Sequence, residues 1–278
     1  MPEISIIMPV YNAQDSIVKA IESIQRQTFQ DWELIIVDDG STDNTRSLIK
    51  EKVVKEKGRI ISINRIKNSG SPVIPRNQGV KWTLGKYLCF LDGDDYWFED
   101  KLEAQLGYMK TVGAVFCYHD LKVYFIDENQ NPVREELWSQ TAAPHDGHVF
   151  DFLLRKNFTP TSSIMMRKSL WEGYGPMDIS LDVSHDWDLW LKIAFANQIT
   201  CLNEVLGVLI RKEGTVIGDS HKRRKESRKV INRWVSYVDG MWYRKIMLYY
   251  FVMEIFDILP RSWQRWIRKI WYGQKRYK

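Results

Sequence analysis

The chain has 278 residues, 44% hydrophobic and 27% charged, enough for a sizeable core in one large domain with a small appendage. Its net charge of +5 is uneven: residues 218–278 carry 16 Lys and Arg against 5 Asp and Glu, or +11, so the preceding residues carry −6. An acidic body excludes a nucleic-acid groove and suits a cation, whereas the basic tail suits an anionic surface.

Residues 4–8 predict a first strand, entered with no basic leader and no cleavage site, which points to a cytoplasmic protein. Residues 15–27 place Ile17, Ala20, Ile21 and Ile24 at helical spacing. A short apolar strand over 33–37 ends in the turn residues 38–41, where Thr42 or Asp43 caps the next helix. A third strand is predicted over 59–64, a helix with Pro75 in its first turn to about residue 84, and a fourth strand over 87–91. This alternation predicts an α/β fold with a mostly parallel sheet between helices. Such sheets bind ligands beyond the carboxyl ends of their strands, which selects the loops 9–12, 38–41 and 92–95.

Beyond residue 101 the pattern predicts strands over 114–119 and 121–126, a turn-rich connection over 127–132 and helices over 148–155 and 186–197. Two short strands are predicted within 199–211. Domain boundaries are expected at 1–217, with a nucleotide half 1–110 and an acceptor half 111–217, followed by a basic helical extension 218–278. The apolar stretch 246–259 has 14 residues and includes Glu254 and Asp257, short of the roughly 20 needed to span a bilayer. Past Pro260, Trp263, Trp266, Ile267, Ile270 and Trp271 share one helical face beside Arg261, Arg265, Arg268 and Lys269, the pattern of an interfacial helix. That face either meets the inner surface of a membrane or packs on the domain. Cys89, Cys117 and Cys201 lie far apart and form no zinc or disulfide pattern.

The chemistry centres on Asp92-Gly93-Asp94-Asp95, which follows the apolar run Tyr87-Leu88-Cys89-Phe90-Leu91. Converging carboxylates repel unless a cation sits between them, and hard oxygen ligands favour Mg²⁺ or Mn²⁺ with positions left for phosphate. A diphosphate leaving group needs that neutralisation.

Five ordered segments give this turn its context: 5–12 (SIIMPVYN), 23–29 (SIQRQTF), 34–43 (LIIVDDGSTD), 76–79 (RNQG) and 90–95 (FLDGDD). In order and spacing the first 110 residues resemble glycosyltransferase family 2, inverting enzymes with the GT-A fold, and the resemblance thins toward residue 213. It implies that Tyr11 stacks on a nucleobase beside the backbone of Pro9 and Val10. It implies that Asp39 accepts from uracil N3–H, as a carboxylate can, that Arg76 and Asn77 serve the phosphates, and that Asp92 and Gly93 meet the ribose. Asp94 is the implied metal ligand, and Asp92 and Asp95 are further candidates, with capping as the other role for Asp95.

An inverting transfer also needs a base to take the acceptor hydroxyl's proton. The family supplies it as the second acid of a pair opening a helix; the match is 185–190 (HDWDLW), with Asp186 as base. His185 departs from the usual acid, and His185 and Trp187 become acceptor-side candidates. A second departure is 210–214 (IRKEG), where Glu213 stands in place of a histidine near the metal, with His221 as a weaker substitute.

The resemblance implies transfer of one sugar from a nucleotide-sugar, UDP-linked by the Asp39 match, to a glycan or polyprenyl-linked acceptor in surface-polysaccharide assembly. A nucleotidyltransferase would open with a Gly-rich phosphate loop, where this chain has Pro9-Val10-Tyr11-Asn12. A membrane-binding module would leave the acidic turn without a role. A processive synthase would carry several transmembrane helices.

Overall fold

A computed structural model describes residues 1–56, 58–212, 220–237, 239–241, 243–245, 247–248 and 251–252. Its contacts divide the chain into two units, Met1–Thr215 and Val216–Lys278.

In the first unit, β1 (Ile4–Val10) and β2 (Trp32–Asp38) are buried along their whole length. Continuous apolar runs of this kind suit parallel strands covered by helices on both faces. α1 (Ile17–Gln25) follows β1 and turns Ile17, Ala20, Ile21 and Ile24 into the core. α2 (Thr45–Lys55) leads to β3 (Ile60–Asn64), and α3 (Val73–Val80) leads to β4 (Tyr87–Phe90). α3 lies unusually close to the sheet at Gly79, where a Cβ would stand 2.7 Å from Ile7 Cγ2. β1 pairs in parallel with β2 and β4, and β2 with β3, so Val10, Asp38 and Phe90 end at one edge.

The second half extends the same sheet. A two-residue strand, β5 (Tyr96–Trp97), leaves the acidic turn and precedes α4 (Lys101–Val112). β6 (Phe116–Ile126) and β7 (Pro132–Leu137) form a hairpin, and α5 (Trp138–Thr141) and α6 (Phe150–Arg155) follow. A 3-10 turn over Thr161–Ser163 enters β8 (Met165–Arg167), then α7 (Lys168–Tyr174), α8 (His185–Ala196) and β9 (Thr200–Lys212). The order is β3-β2-β1-β4-β8-β6-β9-β5, with β7 beside β6. β4–β8, β6–β8 and β5–β9 are antiparallel, while β6–β9 is parallel.

Two expectations are corrected here. Residues 114–119 and 121–126 are not separate strands but one strand, β6, whose register against β9 shifts between His119 and Lys122. The same irregularity makes 199–211 a single strand, because a bulge breaks the side-chain alternation without ending the pairing. Five tryptophans among the described residues, Trp32, Trp97, Trp171, Trp187 and Trp190, lie in the core, and Trp190 is fully buried with its ring 5.2 Å from Phe116 and 6.5 Å from Phe90.

The second unit begins with α9 (Ser220–Asn232), whose sequence is rich in Lys and Arg. Beyond it, Trp234 meets Tyr237 edge-on at 5.7 Å and Tyr243 Oη donates to Asn232 Oδ1 at 2.8 Å. No helix among the described residues is long and apolar enough to cross a membrane. The Trp-rich face at 263–271, Glu213 and the His221 side chain lie outside the described residues.

Candidate active site

The carboxyl ends of β1, β2 and β4 open into a cleft of about 690 Å³, lined in part by Tyr11, Asp39, Asp92, Gly93, Asp94 and Asp95. Its first corner is set by two tied loops. Asn12 takes a left-handed backbone, φ 46°, which Asn tolerates better than most residues. Its amide donates to Ser41 Oγ at 2.9 Å and its Oδ1 accepts from Thr42 N at 2.9 Å. This leaves Tyr11 46% exposed on the cleft wall. Asp39 is buried beside it: Oδ2 accepts from Ser69 N and Oγ at 3.0 and 2.6 Å, and Oδ1 stands 2.6 Å from Arg65 Nε. Asp38 instead pairs with Arg46 and is structural.

The acidic turn closes with Asp95 N donating to Asp92 O at 3.0 Å. Gly93 fits because a Cβ there would come within 3.2 Å of Val10 Cγ2, and its carbonyl accepts from Ser16 Oγ at 2.8 Å. The three carboxylates have different surroundings. Asp95 is buried, with Oδ2 accepting from Ser162 Oγ at 2.5 Å and Oδ1 from Ile210 N at 2.9 Å. Burial, then the charges of Asp94 and Asp92, hold its pKa well above the carboxylate range. Asp94 is pushed up to about 6, by desolvation first and by Asp92 second. Solvent still reaches Asp94 from the cleft, so the like charge of Asp92 is the cause that an arriving cation would relieve.

Asp92 Oδ1 accepts from Arg76 Nη2 at 2.5 Å, and Arg76 Nη1 lies 2.6 Å from His185 Nε2. Arginine has no acceptor, so Nε2 takes the hydrogen bond and the imidazole proton sits on Nδ1, toward the Asp182 backbone. Burial, then the Arg76 charge, lower the His185 pKa, and the ring is neutral. The next residue, Asp186, opens α8 half-buried, with Oδ2 accepting from Thr161 Oγ1 at 2.7 Å and Oδ1 from Trp187 N at 2.6 Å. Asp188 is fully buried and paired with Lys192 at 2.7 Å.

The family model for glycosyl transferase family 2 matches residues 5–174. This chain belongs to glycosyl transferase family 2. Among family members, the Escherichia coli UDP-Glc:alpha-D-GlcNAc-diphosphoundecaprenol beta-1,3-glucosyltransferase WfgD is 30% identical over 200 residues, covering 72% of this chain and 73% of that one. The putative teichuronic acid biosynthesis glycosyltransferase TuaG of Bacillus subtilis (strain 168) is 39% identical over 118 residues, 42% of this chain and 46% of that one. An uncharacterized glycosyltransferase of Rickettsia felis is 31% identical over 77% of this chain, which spans only 34% of that relative's length. The S. aureus TarS 1-349 structure in complex with UDP-GlcNAc superposes with a TM-score of 0.66 at 21% identity, covering 85% of this chain and 67% of that one. The fold is therefore GT-A.

Within this family frame, two expected site residues stand elsewhere, and a third, Asp95, lines the cleft in a structural role. Asn77 does not reach the cleft: its carboxamide is spent on the backbone O and N of Met177, at 2.8 and 3.1 Å. Trp187 turns inward and its indole donates to Leu153 O at 2.7 Å, so it offers no acceptor platform. Asp95 has both oxygens engaged by the protein and organises the turn. Pro9, Val10, Tyr11, Asp39, Asp92, Gly93 and Asp94 do share the cleft, and Arg76 joins them through Asp92 and His185 rather than through free guanidinium.

Four residues of the site lie outside the motifs read from the sequence. Thr161 and Ser162 hold Asp186 and Asp95 from the 3-10 turn, where only the hydroxyl-rich run 161–163 hints at them. Ser69 fixes Asp39, and Lys212 lines the cleft at the end of β9.

No three His, Cys, Asp or Glu among the described residues form a protein cage for a metal. The donor set nonetheless fits a substrate-bridged ion. Mg²⁺ is commonly held by one or two carboxylates plus substrate phosphates and water, and Asp94 with Asp92 offers that.

Proposed function

We propose that the chain transfers one sugar from a UDP-sugar to a hydroxyl of a glycan or lipid-linked acceptor, with inversion at C1. The observation that carries this reading is the joining of two places by one side chain. Arg76 touches Asp92, in the turn suited to a diphosphate, and His185, next to the base-candidate Asp186. Tyr11 and Asp39 line the same cleft as that turn, which supports a base stacked on Tyr11 with its N3–H toward Asp39.

In this reading the acceptor hydroxyl gives its proton to an Asp186 oxygen as its own oxygen bonds to C1. The bond from C1 to the diphosphate breaks on the opposite face and UDP departs. Thr161 Oγ1 and Trp187 N hold the Asp186 carboxylate in one orientation. Mg²⁺ or Mn²⁺, held by Asp94 and Asp92, would neutralise charge on the leaving group. Two relatives are described as acting on a diphosphoundecaprenol-linked sugar, which supports a lipid-linked acceptor and a site at the inner membrane face. The basic 218–278 segment would supply that contact, and sedimentation with anionic vesicles at rising salt tests it.

The decisive experiment for the body is a screen of UDP-, GDP- and dTDP-sugars with Mn²⁺ against lipid-linked and free glycans, read by mass spectrometry. Release of UDP coupled to acceptor glycosylation, lost in Asp186→Asn, supports the proposal. Absence of binding and turnover across all donors overturns it, and transfer surviving in Asp186→Asn removes the base.

A further inference from the structure

We infer that Ser162 is a positioning residue for Asp186: the 3-10 turn Thr161–Ser163 is a bracket through which the acidic turn sets the place of the base. The inference rests on the reading of Asp186 as base.

The bracket's position follows from topology. β8 runs antiparallel to β4, with Met165 level with Cys89. The chain therefore enters β8 from the edge where β4 gives way to the acidic turn, and residues 161–163 lie beside that turn. A 3-10 helix has three residues per turn, so successive side chains point about 120° apart. Three consecutive hydroxyls thus take three directions. Thr161 Oγ1 donates to Asp186 Oδ2 at 2.7 Å. Ser162 Oγ donates to Asp95 Oδ2 at 2.5 Å and accepts from Asp92 N at 3.3 Å. Ser163 Oγ turns back to Pro160 O at 2.8 Å.

The bracket is held as one piece. All three residues are buried. Trp97 Nε1 donates to Ser162 O at 2.7 Å, and Gln105 Nε2 donates to Ser163 O at 3.0 Å. A shift of Ser162 therefore carries Thr161 with it. Asp186 Oδ1 bonds locally, to Trp187 N at 2.6 Å, so Thr161 is the long-range hold on this carboxylate. A hydroxyl suits that place: it donates to a carboxylate before proton transfer and can accept from the carboxylic acid after it. Attack needs the leaving group and the base in a fixed relation, and this turn bonds to both sides.

The test is a double-mutant cycle on the full chain, with Thr161→Val, Ser162→Ala and the double variant. Nucleotide release is followed from UDP-, GDP- and dTDP-sugars with Mn²⁺, with GlcNAc-diphosphoundecaprenol as acceptor and with water alone. Thr161→Val is expected to lower kcat roughly 10- to 100-fold, with donor KM within about twofold. The acid limb of its kcat profile moves up by about one pH unit, because the ionised carboxylate has lost a donor. Thr161→Ser restores both. Ser162→Ala lowers kcat roughly 3- to 10-fold, and the double variant matches Thr161→Val within about twofold, because the bracket then has nothing left to transmit. Should Ser162→Ala fail to fold, Ser162→Cys, which keeps a weak donor, replaces it in the cycle. Wild-type kcat in the Ser162 variant, strict additivity in the cycle, or an unmoved acid limb in Thr161→Val overturns the inference while leaving Asp186 as base. Failure of wild type to release nucleotide from any donor overturns both.

Discussion

His185 Nε2 accepts a hydrogen bond from Arg76 Nη1 at 2.6 Å, so a neutral ring occupies the place where the family pattern puts an acid. An acid there would form a second ion pair with Arg76 and spread its charge over two carboxylates. The imidazole leaves the full guanidinium charge to Asp92 while keeping the fork oriented. In His185→Ala, Arg76 loses one anchor and Asp92 turns more freely. We expect a several-fold rise in donor KM with a smaller change in kcat, whereas Asp186→Asn affects kcat first. Steady-state kinetics on both variants separate the two roles.

The buried histidines make folding stability depend on pH. Burial, then Lys101, lowers the His119 pKa to about 3 from 6.5, and burial, then Arg76, lowers that of His185. Between about pH 6.5 and 3 the unfolded chain binds protons that folded His119 refuses, so stability falls as pH falls through that window. Each such histidine contributes a slope of up to about 1.4 kcal/mol per pH unit. Urea melts of His119→Gln across pH 4–7 are expected to show a shallower acid slope than wild type.

Asp94 has the opposite sign. Its folded pKa of about 6 exceeds the ordinary 3.8, so the folded chain holds a proton there that the unfolded chain has lost. Stability therefore drops as pH rises from 3.8 to about 6 and stays reduced above it. Asp94→Asn is expected to raise the melting temperature at pH 7.5 and to change little below pH 4. The same variant loses Mn²⁺-enhanced UDP binding, and in wild type that enhancement fades below about pH 6, because a ligating carboxylate must be ionised.

Tyr11 presents its ring at the cleft wall, 46% exposed. Removing a stacked aromatic costs about 1–3 kcal/mol per base. Tyr11→Ala is expected to weaken UMP and UDP alike by roughly 10- to 100-fold, while Tyr11→Phe binds both as wild type does. Calorimetry on the two nucleotides checks this.

Trp187 tests the correction made by the structure. Trp187→Phe strands the Leu153 carbonyl that its indole satisfies, at a cost of about 1–3 kcal/mol. The expected result is a lower denaturation midpoint with acceptor KM unchanged. A change in KM without loss of stability would return Trp187 to the acceptor site.

The parts of this fold that could be read from sequence are those whose cause is local. β1, β2 and β4 announce themselves because burial on both faces needs unbroken apolar runs, and α1 because Ile17, Ala20, Ile21 and Ile24 must share a face. Tyr11, Asp39 and Asp94 were legible because a parallel sheet delivers its strand ends to one edge. What escaped depends on partners far away in the chain. β8 has three residues and exists only through β4 and β6. The Asp95 side chain reads as a ligand until Ser162 and Ile210 occupy it. Asn77 sits one residue from Arg76, yet helical rotation sends it toward Met177 instead of the cleft.

The bond from Ile210 N to Asp95 Oδ1 spans 115 positions. Closing so long a stretch is entropically slow unless intervening pairings shorten it, and β9 reaches the turn from between β6 and β5. A nascent chain that has emerged only as far as residue 110 already displays the whole acidic motif, yet lacks the strand whose Ile210 amide holds Asp95.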